Sequence, residues 1–137
     1  MSSGTSVTVK RAGWILLALA GVHLALLALA TATHLPGWIG GQLWVTPQGL
    51  SDFAELSPSA GAFWAFWGSF AVPLGLLGAM VIRSAREGRT PPAYVGIGLI
   101  VWAAVGALIF EPSPFVLGAI PGAMLVVAAR SRQAVAA

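Results

Sequence analysis

KRAGWILLALAGVHLALLALATAT, residues 10–33, sets two cations ahead of 22 residues that include no Asp, Glu, Lys or Arg. As a helix those 22 residues rise about 33 Å at 1.5 Å per residue, against a bilayer hydrocarbon core of about 30 Å. The apolar core of a secretory signal is shorter, roughly 7–15 residues, so the stretch reads as a retained first span over 12–33. The small polar residues before Lys10, MSSGTSVTV, fall outside that span.

Working outward, the same pattern recurs. The chain of 137 residues is 58% hydrophobic and 8% charged, with a mean hydropathy of +0.88. That much apolar surface cannot be hidden in one small soluble core, so the expected solvent is the lipid bilayer. Further spans are expected over 60–82, 93–110 and 114–129, the second kinked at Pro73, which interrupts the helical hydrogen bonds. The fold class expected is all-α: a single-domain, up-down, four-helix membrane bundle covering residues 1–137, with a structured extracytoplasmic loop between the first two helices. Small residues are expected at the helix contacts: Gly21, Ala25 and Ala28, then Gly75 and Gly78, then Gly118 and Gly122.

All seven basic residues, Lys10, Arg11, Arg83, Arg86, Arg89, Arg130 and Arg132, fall on one side of this arrangement. By the positive-inside rule both termini are then cytoplasmic, in a multi-pass protein of the cell's inner (plasma) membrane. Glu87 shares that side; Asp52, Glu55, Glu111 and His34 lie opposite. The cations form no aromatic-interleaved patch, so nucleic acid is not an expected partner. Cysteine is absent, which excludes disulfides, thiolate metal sites and thiol nucleophiles.

Residues 34–60 hold three prolines and four glycines but no Lys or Arg. Their Trp38, Trp44, Leu50 and Phe53 are too apolar for a solvated linker, and Thr46-Pro47 suits the start of a short helix. In that helix Asp52 and Glu55 would stand three residues apart, close enough to share a proton. Paired acids suit acid–base chemistry because one stays protonated while the other ionises; the bland reading is a solvated capping cluster. Glu111 ends the third span against the helix dipole, which asks for a compensating partner.

His23 lies about halfway along the first span, about 16 Å of helical rise from His34. An ionisable group at that depth is costly and tends to face the interior of a bundle, as an acid, a base or a ligand. The alternative is a neutral histidine bonded to a backbone carbonyl, bridging two helices. Phe63, Trp67 and Phe70 follow i, i+4, i+7 spacing, with Trp64 and Phe66 beside them, and would wall a lipophilic ligand or serve as an interfacial belt. Without a carboxylate-plus-histidine helix signature or a Gly-rich phosphate loop, neither a metal nor a cofactor is expected.

RAGWILLALAGVHLALL (11–27), AGAFWAFWGSFAVPLGLLG (60–78) and PSPFVLGAIPGAMLV (112–126) together resemble a family of small bacterial four-span membrane proteins with no assigned activity. The resemblance implies fold and localisation but no catalytic residue. In plan, though not in motif, the chain is also similar to the emopamil-binding sterol isomerases.

The function expected is binding of a lipophilic small molecule in the outer half of the bundle, extended to an isomerase or cyclase acting by proton transfer. His23 would be the base, Glu55, Glu111 or Asp52 the acid, and Phe63, Trp64, Phe66, Trp67, Trp38 and Trp44 the substrate-binding wall. One alternative is a small transporter or resistance protein for lipophilic cations, working as a homo-oligomer. Four-span drug transporters of this size typically carry a glutamate in the first span, where this chain has His23. Another is a non-catalytic membrane partner subunit.

Overall fold

The structure, a computed structural model, describes residues 3–43, 57–109 and 114–136. All regular structure among them is helical: α1 (Ser3–Thr31), α2 (Leu35–Ile39), α3 (Pro58–Ala65), α4 (Ala71–Arg86), α5 (Ala93–Ile109) and α6 (Ala119–Ala136). Short 3-10 turns, Ala32–His34 and Pro114–Gly118, lead into α2 and α6. Two continuous helical stretches, Gly4–Ile39 of 36 residues and Pro114–Ala134 of 21 residues, are long and apolar enough to cross a membrane. Asp52, Glu55, Trp44, Glu111 and the expected helix after Thr46 lie outside the described residues.

The chain divides into two compact units, one of Met1–Leu19 with Pro73–Ala137, the other of Ala20–Val72. In the first, Val9, Ala12 and Leu16 of α1, Val81 and Ala85 of α4, Leu99 of α5, and Leu125 and Ala128 of α6 form one buried cluster. Reciprocal glycine pairs set the helix spacing. A Cβ on Gly13 would lie 2.8 Å from the Gly78 carbonyl oxygen, and one on Gly78 would lie 2.8 Å from that of Gly13. Gly96 and Gly122 repeat the arrangement between α5 and α6, at 2.5 and 2.8 Å. Such close approach gives dispersion contacts that a side chain would prevent.

Ser6 Oγ donates to the Ala85 carbonyl at 3.4 Å, which together with the Gly13–Gly78 pair makes α1 and α4 antiparallel. Gly106 against Phe115 and Gly96 against Gly122 make α5 and α6 antiparallel as well. This register gathers all seven exposed basic side chains toward one end of the unit, where α4 passes into α5. There α4 closes with Gly88 at φ 69°, while Arg89 N–H reaches Ser84 O at 2.8 Å and Gly88 N–H reaches Ala85 O at 3.2 Å. That is a Schellman cap, and it places glycine in the left-handed region where a Cβ is strained.

Four expectations change. Residues 3–9, expected outside the first span, belong to α1: Val9 is fully buried, so the periodic apolar face extends past Lys10. The helix expected over 60–82 is two helices, and the break falls at Phe66–Phe70 rather than at Pro73. Pro73 is the third residue of α4, within the first turn, where the missing N–H costs nothing. The helix expected over 114–129 runs on to Ala136, because nothing after Arg130 breaks it. Gly21, expected at a contact, has open space around it, whereas Gly13 and Gly96 carry the contacts instead.

Candidate functional site

The unit of residues 20–72 is organised by the helix break. Ser57 caps α3, its Oγ accepting the Ala60 N–H at 3.2 Å, with Pro58 in the first turn. The helix then ends after Ala65: Phe66 N–H is shared between Ala62 O and Phe63 O, and Gly68 N–H returns to Phe63 O at 3.0 Å. A Cβ on Gly68 would lie 2.3 Å from the Trp64 indole ring and 3.0 Å from Trp64 Cα, so any side chain at this turn would force Trp64 to shift. Ser69 bridges the gap, with its Oγ donating to Phe66 O at 2.6 Å and accepting the Ala71 N–H at 3.3 Å.

A break of this kind strips helix carbonyls of their i+4 donors. The Ala65 carbonyl is met from outside the segment, by His23 Nε2 at 3.1 Å. A carbonyl only accepts, so Nε2 carries the proton, and in the neutral ring Nδ1 is then the acceptor. His23 therefore bridges two helices through a backbone carbonyl while its ring stays exposed.

Trp38 is the centre of the aromatic packing and is 8% exposed. Its Nε1–H lies between Ser59 O at 3.2 Å and Ser59 Oγ at 3.1 Å, tying α2 to the first turn of α3. Phe63 meets it edge to face at 5.8 Å, Phe66 stacks at 6.5 Å, and the His34 ring stacks at 6.3 Å. α2 presents Trp38 because it closes in a second Schellman cap, with Gly41 at φ 89° and Gln42 N–H on Gly37 O at 2.9 Å.

The expected aromatic wall is thus divided. Phe63, Phe66 and Trp38 pack together; Trp64 and Trp67 touch that group, at 5.8 Å from Phe63 and 5.3 Å from Phe66, but they and Phe70 remain 50%, 56% and 67% exposed. The break is the reason: i, i+4, i+7 spacing shares a face only on an unbroken helix. Among the expected catalytic residues, His23 alone falls within the described residues. Three residues important here were not singled out in the sequence, namely Ser59, Gly68 and Ser69. The Gly-Ser pair after an aromatic run was the available sign of a turn.

Among the described residues no group of His, Cys, Asp and Glu is placed to hold a metal ion. No protein-family model, curated protein or solved structure matches this chain.

Proposed function

We propose that this is a four-span protein of the inner membrane, with both termini cytoplasmic, and that it binds a lipophilic small molecule beside the interrupted second span. The observation that carries the binding reading is the break at Phe66–Phe70, inside an otherwise apolar run, with its carbonyls satisfied by His23 and Ser69. Unwound backbone at membrane depth is tolerated where it is buried in protein or lines a cavity, and in transporters it marks the ligand site. Exposed Trp64, Trp67 and Phe70 supply flat apolar surface at that place.

The bilayer reading draws on what the helices leave uncovered. Leu29 is 81% exposed and Leu108 80%, and Val22, Leu26, Leu76, Met80, Val101 and Ile120 are also outward. With the cations confined to one end, hydrocarbon suits such a surface and water does not. The isomerase or cyclase version keeps the expected roles: Nδ1 of His23 as base, since Nε2 is committed to Ala65, and Glu55, Glu111 or Asp52 as acid.

Extraction of the native protein into polymer nanodiscs, followed by mass spectrometry of the organic-soluble fraction, tests the binding reading. A small lipophile should accompany the unaltered protein and be depleted from the Trp64→Ala/Trp67→Ala double variant. Identical co-extracts from the two proteins would refute it.

A further inference from the structure

Of the two His23 ring nitrogens, Nε2 alone has a partner among the described residues. Nε2 gives its proton to Ala65 O; no described residue donates to Nδ1, and the ring is exposed. If α1 crosses the bilayer as proposed, His23 stands eight residues, about 12 Å, inside the end of the helix at Thr31. An acceptor lone pair left unpaired in hydrocarbon is unfavourable, and lipid chains offer it no donor.

We infer that the lipophile bound beside the break carries a hydroxyl group, an alcohol or a phenol, and donates it to His23 Nδ1. The inference rests on the lipophilic-site reading and adds to it the polar group that the site recognises. The tautomer decides the ligand's polarity. Because the carbonyl can only accept, the ring cannot turn a second N–H toward the ligand without becoming cationic, so a ketone or ether oxygen finds no donor on neutral His23. The exposed Trp64 and Trp67 rings, which flank Ala65 within two residues on either side, provide apolar surface for the rest of the molecule.

The experiment uses the full-length protein in zwitterionic nanodiscs and two probes, a long-chain bromoalkyl phenol and its methyl ether. Heavy-atom quenching of tryptophan emission reports occupancy whatever the head group. The phenol should bind saturably and about tenfold more tightly than the ether, the selectivity expected of one hydrogen bond in an apolar site. It should also move the ¹⁵N resonance of His23 Nδ1, assigned with a His34→Gln variant, while the ether leaves it in place. Equal saturable binding of both probes, with no shift at Nδ1, overturns the hydroxyl inference and leaves the lipophilic site standing. If neither probe gives saturable quenching, both readings fall. The comparison of probes is made on the unaltered protein, so it does not depend on a His23 variant that folds.

Discussion

His23 and Trp38 each spend a ring N–H on a backbone carbonyl, and the consequences of removing them differ in a way that can be measured. Replacing His23 by Phe keeps the apolar volume but leaves the Ala65 carbonyl without its donor, a loss of about 1–3 kcal/mol where water is excluded. Thermal unfolding in nanodiscs should show that loss, and an unchanged midpoint would mean that the bond contributes nothing. Trp38→Phe removes a donor shared between two acceptors on Ser59, one of which is a hydroxyl free to turn elsewhere. The lost bond should cost nearer 1 kcal/mol, and the smaller ring at the buried centre of Phe63 and Phe66 adds a packing loss of about 1–3 kcal/mol. The sequence already marked His23, because the one ionisable side chain among residues 12–33 is conspicuous and carbonyl bridging is one of its few cheap states. Ser59 was invisible, since its role depends on which indole the chain brings to the start of α3, and residues 38 and 59 are linked only by tertiary structure.

At the level of helices, the reciprocal glycines make a sharper test than burial does. Gly78→Ala sets a Cβ 2.8 Å from the Gly13 carbonyl and 3.0 Å from Leu17 N, both backbone atoms that cannot swing aside. Gly122→Ala does the same against Gly96 O at 2.8 Å. Each should force its helix pair apart and destabilise the protein by about 1–3 kcal/mol. Gly21→Ala and Gly98→Ala meet nothing within 4 Å and should be neutral or gain up to about 1 kcal/mol. Equal effects from all four in an unfolding series would rule out close glycine packing. The end of α4 responds to pH. The Arg83 hydrogen bond to Glu87, with Arg89 adding to it, holds the Glu87 carboxyl below the usual carboxylate range. Its folded-state value is thus depressed, so its small contribution is complete above the ordinary glutamate range and is lost as pH falls through the lowered value. The pair lies at the surface, so water and salt screen it. A carboxyl ¹³C titration should place Glu87 low and move it only part of the way back toward the ordinary range in Arg83→Gln, because Arg89 still pairs with it. Helical content was legible in the apolar runs, and Ala93–Ile109 fell where those runs put it. The break at Phe66–Phe70 was not legible, because hydropathy is continuous from Ala60 to Ile82 and proline is the louder signal. What decides it is a glycine lying against Trp64 and a serine bonding in both directions, neither of which changes the hydropathy.

For the whole molecule, the distribution of charge makes the strongest commitment. Seven exposed cations, with Glu87 the one acid among the described residues, lie toward the end of the larger unit where α4 turns into α5. Apolar side chains cover the outward faces of α4, α5 and α6 away from that end. Translocating any of these basic turns would require moving several cations across hydrocarbon, at about 2.5–3.5 kcal/mol each at the centre of a bilayer. The proposed topology therefore has α1 leaving the cytoplasm and the chain returning before Arg83, with α5 and α6 repeating the excursion. The absence of cysteine allows one labelled site at a time. Gly4→Cys has open space around it, and Gln133→Cys and Thr33→Cys replace exposed side chains, so none should disturb packing. In intact cells a membrane-impermeant maleimide should react with Thr33→Cys alone; after permeabilisation it should react with all three. The result discriminates among architectures. Labelling of Gln133→Cys from outside with Gly4→Cys protected would mean an odd number of crossings, removing the four-span reading and with it the membrane depth assigned to the helix break. Labelling of all three in intact, washed cells would mean that the chain is not held across the membrane at all. The exposed leucines and valines would then have to be covered by other copies of the chain, and hydrocarbon could no longer be invoked to make the His23 lone pair costly.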